Sequence, residues 1–137
     1  MKKNKITVTY NDYQRLVGLI ELSSMRGRLS EPVDKLFENL KTAKMLPQTS
    51  IENHIVTMNS EVLVREMNSG RAVKIQLTYP QDADGKASKA SIFSPIGVEL
   101  LGKKKGDVAC WATPSGVGSF EIVDVVYQPE AAGAYHL

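Results

Sequence analysis

Residues 71–79 read RAVKIQLTY, and Val73, Ile75, Leu77 and Tyr79 occupy every second position. A period of two marks a strand with one face on a core, because successive side chains point to opposite sides of a sheet. This is the strongest strand signal in the chain, and it sets the fold class. Upstream, Glu61–Met67 (EVLVREM) carries Val62 and Val64 on one face, and the Asn68-Ser69-Gly70 between the two runs is a tight-turn tripeptide. Ile55–Met58 alternates in the same way. Downstream, Gln81–Lys86 (QDADGK) reads as a polar loop and Ala90–Phe93 as a short strand. The stretch SPIGVELLG then places Ile96, Leu100 and Leu101 at helical spacing and closes on Gly102. Asp107–Ala112 and Ser119–Tyr127 add two strands, joined by Thr-Pro-Ser-Gly-Val-Gly. The short links predict a mostly antiparallel sheet of about five strands with one short helix packed across it.

The front of the chain has the other period. Tyr13, Leu16, Val17 and Ile20 follow the i, i+3, i+4, i+7 spacing of a helical face, and Asn11 or Asp12 is placed to cap its start. Gly27 and the residues after it read as a break. Ser30 then announces a second helix as N-cap, with Glu31 and Pro32 in the first turn, where an acid suits the helix dipole and proline loses no bond. Val33, Leu36, Phe37, Leu40 and Ala43 form its apolar face, and Pro47 ends it by residue 46. Two such arms make an antiparallel helical hairpin, each about 22 Å long. The fold class is therefore α+β: a helical hairpin over residues 1–50 and a sheet domain over residues 51–137.

The chain has 137 residues, 42% hydrophobic and 23% charged, which is enough for one compact domain or a small domain with an appended module. No apolar run approaches the roughly 20 residues of a membrane-spanning helix. The opening MKKNKITVTY lacks the apolar stretch of a secretory signal, so a cytoplasmic protein is expected. Residues 1–50 carry nine Lys and Arg against five Asp and Glu; the remainder carries eight against ten. No continuous basic stripe results, which disfavours nucleic-acid binding by electrostatics alone.

Few residues nominate themselves for chemistry. Gly97-x4-Gly102-Lys103 falls short of a phosphate-binding loop, because Lys104 stands where a magnesium-binding Ser or Thr belongs and Val-Glu-Leu-Leu between the glycines reads as packed helix. Lys103-Lys104-Lys105 reads as a solvated rim. His54 and His136 have no partners at metal-ligand spacing, so no metal site is expected. Cys110, the sole cysteine, lies in an apolar strand beside Trp111 and is expected to be a small buried thiol. With no paired acids for proton transfer and no activated nucleophile, neither catalytic residues nor a cofactor are expected.

Three stretches carry a resemblance: HIVTMNS (54–60), SPIGVELLGKKKGD (94–107) and YQPEAAG (127–133). With the strands between them, residues 51–137 resemble the C-terminal domain of the Gre transcript-cleavage factors. The match is closer still to the nucleoside diphosphate kinase regulator (Rnk) branch of that family, which has the same domain arrangement. The resemblance implies an FKBP-like sheet domain, a hairpin that forms a short coiled coil, and bacterial RNA polymerase as partner, held at the rim of its secondary channel. In Gre factors a long coiled coil enters the channel, and acids at its tip help hold a catalytic magnesium ion.

Here the hairpin is far shorter, and its tip, Met25-Arg26-Gly27-Arg28-Leu29-Ser30, is basic. Arg26 and Arg28 repel a divalent cation instead of ligating it, so stimulation of transcript cleavage is not expected. Docking is what remains. Phe93, Ser94, Pro95, Ile96 and Gly97 correspond to the Gre loop that touches the polymerase rim, with Phe93 standing where several Gre factors have an acid. Ser94 and Pro95 also make a sound helix start on their own. The expectation is a non-enzymatic regulator that binds polymerase and competes with Gre-type factors. The alternatives are an FKBP-like prolyl isomerase, or a nucleic-acid-binding module using weak contacts from Arg26, Arg28 and the three lysines.

Overall fold

The computed structural model describes residues 6–25, 27 and 30–134. A short strand β1 (Thr7–Thr9) leads directly into helix α1 (Tyr10–Met25), and helix α2 (Glu31–Lys41) returns to strand β2 (Lys44–Leu46). β1 and β2 pair in parallel, with Val8 opposite Met45, and so clamp the open end of the hairpin. Neither strand is evident from periodicity, since three residues are too few to show one. Their pairing also explains why α2 stops at Lys41 and not at residue 46: residues 44–46 are drawn into extended pairing, and the Lys44 N–H donates to the Ile6 carbonyl at 2.9 Å.

The caps differ from expectation as well. Thr9 caps α1, its hydroxyl accepting the Asp12 N–H at 3.0 Å, whereas Asn11 and Asp12 lie inside the helix. Ser30 holds the N-cap position of α2 with extended backbone, but its side chain makes no capping bond. Within the helices the apolar faces hold: Leu16 and Ile20 on α1 and Val33, Leu36 and Leu40 on α2 are buried, Tyr13, Val17 and Phe37 pack beside them, and Ala43 lies past the end of α2.

The second half forms a five-stranded sheet in the order β5-β4-β3-β7-β6, with β3 at Glu61–Glu66, β4 at Ala72–Thr78, β5 at Lys89–Ser91, β6 at Val108–Thr113 and β7 at Gly116–Tyr127. All neighbours are antiparallel except β4 and β5. Residues between those two strands form two single 3-10 turns, Pro80–Asp82 and Gly85–Ala87. Ile55–Met58 is not a strand. Ile55 makes one bridge to Lys104, and Thr57–Ser60 closes a turn through Ser60 N–H to the Thr57 carbonyl at 3.1 Å. These residues alternate little because almost all of them are buried. The loop before β7 is shorter than read: only Pro114 and Ser115 separate β6 from β7. Helix α3 (Pro95–Leu100) packs against the sheet and buries Val98 and Leu100.

Both halves feed one core. Leu16, Leu36 and Val8 lie in the same buried cluster as Val62, Leu77, Ile92 and Ile122. Gly102 seats the hairpin base on the sheet domain: a Cβ there would stand 2.4 Å from the Ile6 Cβ, and its N–H donates to the Val56 carbonyl at 2.9 Å. Farther out, Lys35 on α2 reaches Glu99 on α3 at 3.2 Å. That pair is half-exposed, so Lys35→Ala is expected to cost under about 1 kcal/mol in a denaturant titration, with the shared apolar core carrying the attachment.

Candidate functional site

The Phe93–Gly97 segment is a corner between β5 and α3, built by local hydrogen bonds. The Ser91 hydroxyl accepts the Phe93 N–H at 3.0 Å. The Ser94 hydroxyl donates to the Ser91 carbonyl at 2.7 Å and accepts the Gly97 N–H at 3.2 Å. Ser94 is thus the side-chain cap of α3, and Pro95 follows in the first turn with no N–H to leave unpaired. Pro95 is exposed, while Phe93 and Ile96 are half-buried against the core. Gly97 is buried at the closest approach: a Cβ there would lie 2.1 Å from the Ser91 carbonyl oxygen and 2.8 Å from the Ile92 Cα. All five residues read from sequence therefore form one continuous, rigidly supported corner. Arg26 and Arg28, the other two, lie outside the described residues.

Beside the corner is a cleft of about 280 Å³ lined by Glu31, Pro32 and Lys35 of α2, Pro95, Val98 and Glu99 of α3, and Cys110 and Trp111 of β6. Trp111 is buried and stacks on Phe120 with ring centroids 4.0 Å apart. Cys110 is exposed, contrary to the buried thiol expected from its apolar neighbours. Side chains alternate along β6, Ala109 and Trp111 turning to the core and Val108, Cys110 and Ala112 to the solvated face.

A second polar cluster, not found by sequence reasoning, joins the hairpin to the sheet domain. Asp12 of α1 is buried, and its Oδ2 accepts the Met58 N–H at 3.0 Å. Next to that turn, the buried Glu130 accepts the Thr57 hydroxyl at 2.7 Å. Burial, helped by the Glu130 charge, pushes the Asp12 carboxyl up to about 7 against the lowering effects of the Met58 hydrogen bond, Arg15 and Thr9. Tyr79 faces the same cluster, and burial pushes its phenol up to about 12. Gln128 completes the junction, its amide donating to the Glu52 and Ile55 carbonyls at 2.8 Å each. The signal for these residues was the stretch YQPEAAG, whose Gln128 and Glu130 act here as buried clamps.

Among the described residues no three His, Cys, Asp or Glu side chains come together as a metal site, and no helix is long and apolar enough to cross a membrane. The interval between Gly97 and Gly102 is occupied largely by α3, which is not the open loop that a phosphate needs.

The family described as transcription elongation factor GreA/GreB, C-terminal, matches residues 51–127. Over its full length the chain is 33% identical to the regulator of nucleoside diphosphate kinase of Escherichia coli strain K12, and the alignment also covers 100% of that protein. It is 34% identical over 101 residues to the elongation factor GreA of Thermotoga sp. strain RQ2, covering 74% of this chain and 64% of that one. Among solved structures, a GreA/GreB elongation factor from Nitrosomonas europaea superposes with a TM-score of 0.77 at 36% identity, over 91% of this chain and 100% of the other. A Gre-like α+β fold, the family match over most of the sheet half and a relative matching the hairpin as well agree: the chain belongs to the GreA/GreB C-terminal-domain family of transcription factors.

Proposed function

We propose that the protein is a non-enzymatic transcription regulator that binds RNA polymerase at the rim of the secondary channel and competes there with Gre-type factors without stimulating transcript cleavage. In this reading residues 51–137 are the docking domain, an FKBP-like sheet, and residues 1–50 are a short coiled coil. The observation that carries it is the Phe93–Gly97 corner, which presents an exposed Pro95 and half-buried Phe93 and Ile96 on a backbone locked by the Ser91 and Ser94 hydroxyls. A preformed apolar corner loses little entropy on docking, which is how a small surface becomes a binding determinant. α1 has 16 residues, so it reaches only about 24 Å. Its tip sequence from Met25 to Ser30 contains no acid to offer a metal ion. The name of the Escherichia coli relative ties that protein to nucleoside diphosphate kinase; for this chain we place any such link downstream of transcription.

The test is competition for core RNA polymerase, with a labelled Gre-type factor displaced by rising amounts of this protein at fixed salt. Displacement is expected, and Pro95→Ala should weaken it about tenfold, the loss typical of an interface anchor. Backtracked complexes should show no faster transcript cleavage. Absence of displacement at saturating concentrations would exclude the rim reading.

A further inference from the structure

The sheet has two edges, and they are built differently. β5 is only three residues long, begins with Lys89 and follows directly on a 3-10 turn, so it offers little edge to pair with. β6 is six residues long, VACWAT, with no charge and no proline. Its pairing with β7 fixes which backbone groups are free. The Gly106 N–H donates to the Ile122 carbonyl and the Ile122 N–H to the Asp107 carbonyl, at 2.8 and 2.9 Å. The antiparallel register then pairs Ala109 with Phe120 and Trp111 with Gly118 as the hydrogen-bonded couples. Val108, Cys110 and Ala112 therefore turn their N–H and C=O groups away from the sheet. All three are exposed and small enough to let another backbone approach.

The geometry points to β6 as a docking edge for an extended segment of a partner protein, which adds a sixth strand and drops an apolar side chain into the cleft between α2 and α3. The cleft lies along this edge, since Cys110 and Trp111, whose side chains project to opposite faces, both line it. Its walls at Pro95, Val98 and Trp111 are apolar. Of its charges, Lys35 and Glu99 satisfy each other, while Glu31 makes no ion pair among the described residues. The occupant is thus an alternating strand with an apolar residue for the cleft and a basic residue near Glu31. A second copy of this chain does not fit. The side chains that a second β6 would present toward the cleft are Ala109 and Trp111, and both are buried in their own core.

The proposal does not depend on polymerase, and neither does its test. The probe is an acetylated peptide of about ten alternating residues with one leucine and one lysine on the cleft side, added to the full chain while amide exchange is followed by NMR. Protection of the Val108, Cys110 and Ala112 amides by about tenfold or more is expected on saturation. A peptide methylated on the amides that face β6 should give none. Cys110→Pro and Ala112→Pro remove only outward donors, so they should keep the β7 ladder and the melting temperature yet weaken the peptide about fivefold or more, the worth of one lost hydrogen bond. If either variant fails to fold, the methylated peptide on the unaltered chain decides. No protection at millimolar peptide, protection elsewhere, or protection that grows with protein concentration alone would overturn the proposal, the last by showing self-pairing.

Discussion

Gly97→Ala is expected to lower the thermal midpoint by about 10 °C or more. The added methyl would lie 2.1 Å from the Ser91 carbonyl oxygen and 2.8 Å from the Ile92 Cα. Both obstacles are backbone of β5 and its continuation, so no side-chain rotation relieves them. Either α3 lifts off the sheet or β5 shifts away from β4. Lifting α3 stretches the Ser94 cap and opens contacts around Val98 and Leu100. Shifting β5 strains its pairing at Leu77 and Ala90. Overpacking of this kind costs about 3 kcal/mol when the neighbours cannot yield. The control is the same substitution at Gly18 in α1, where nothing lies within 4 Å of the added carbon. There alanine should stabilise by up to about 1 kcal/mol through helix propensity alone. Scanning calorimetry of both variants checks the pair. Equal melting temperatures for Gly97→Ala and the parent would mean that α3 is not held against β5 as described.

Gly97 also shows how much of the molecule the sequence made legible. The helix start at Ser94 and Pro95 was readable because capping chemistry is local and spans only three residues. Why residue 97 is glycine was not, since its cause is Ser91 and Ile92 on a strand that packs across it. The same division runs through the fold. The alternation of Ile75 and Leu77 and the helical stripe of Leu16 and Ile20 report burial against a core, and both elements are present; Val73, read on the same strand face, is exposed near the outer end of β4. β1 and β2 were invisible because their three-residue pairing depends on the two ends of the hairpin meeting, a relation between residues about 37 positions apart. Cys110 was misplaced because an apolar neighbourhood in sequence does not say which face of a strand turns to solvent.

The Phe93–Gly97 corner was legible as local structure for the same reason, while its place as a candidate site came from the family resemblance. The cleft beside it was not, because α2, α3 and β6 each contribute a few residues that only the fold brings together. Asp12 is the clearest case. In the sequence it is, with Asn11, a candidate cap for the start of α1, a role that keeps a side chain at the helix end near solvent. Its burial follows from the docking of the hairpin onto the Met58 turn, 46 residues away.

That burial makes Asp12 the source of an unusual pH dependence. The unfolded carboxyl titrates at 3.8 and the folded one at about 7, raised first by burial and then by Glu130, with Met58, Arg15 and Thr9 acting the other way. Between those values the folded chain holds a proton that the unfolded chain has released. Stability from this group is therefore full below about pH 4, falls as pH rises through the window, and levels off above about 7. Asp12→Asn removes the charge and retains a carbonyl oxygen to accept the Met58 N–H. It should gain on the order of a few kcal/mol over the parent at pH 8, and the gain should vanish by about pH 4. Asp12→Ala separates the two roles: it leaves the Met58 N–H without that partner, at about 1–3 kcal/mol, and should fall below Asp12→Asn at every pH. Glu130→Gln, which still accepts the Thr57 hydroxyl, should move the upper end of the window to lower pH. Urea unfolding at pH 4.5, 6 and 8, with a carboxyl-carbon NMR titration of Asp12, reads all three. Parallel stability profiles for Asp12→Asn and the parent would show that the carboxylate is solvated, and that the hairpin is not seated on the sheet domain through this contact.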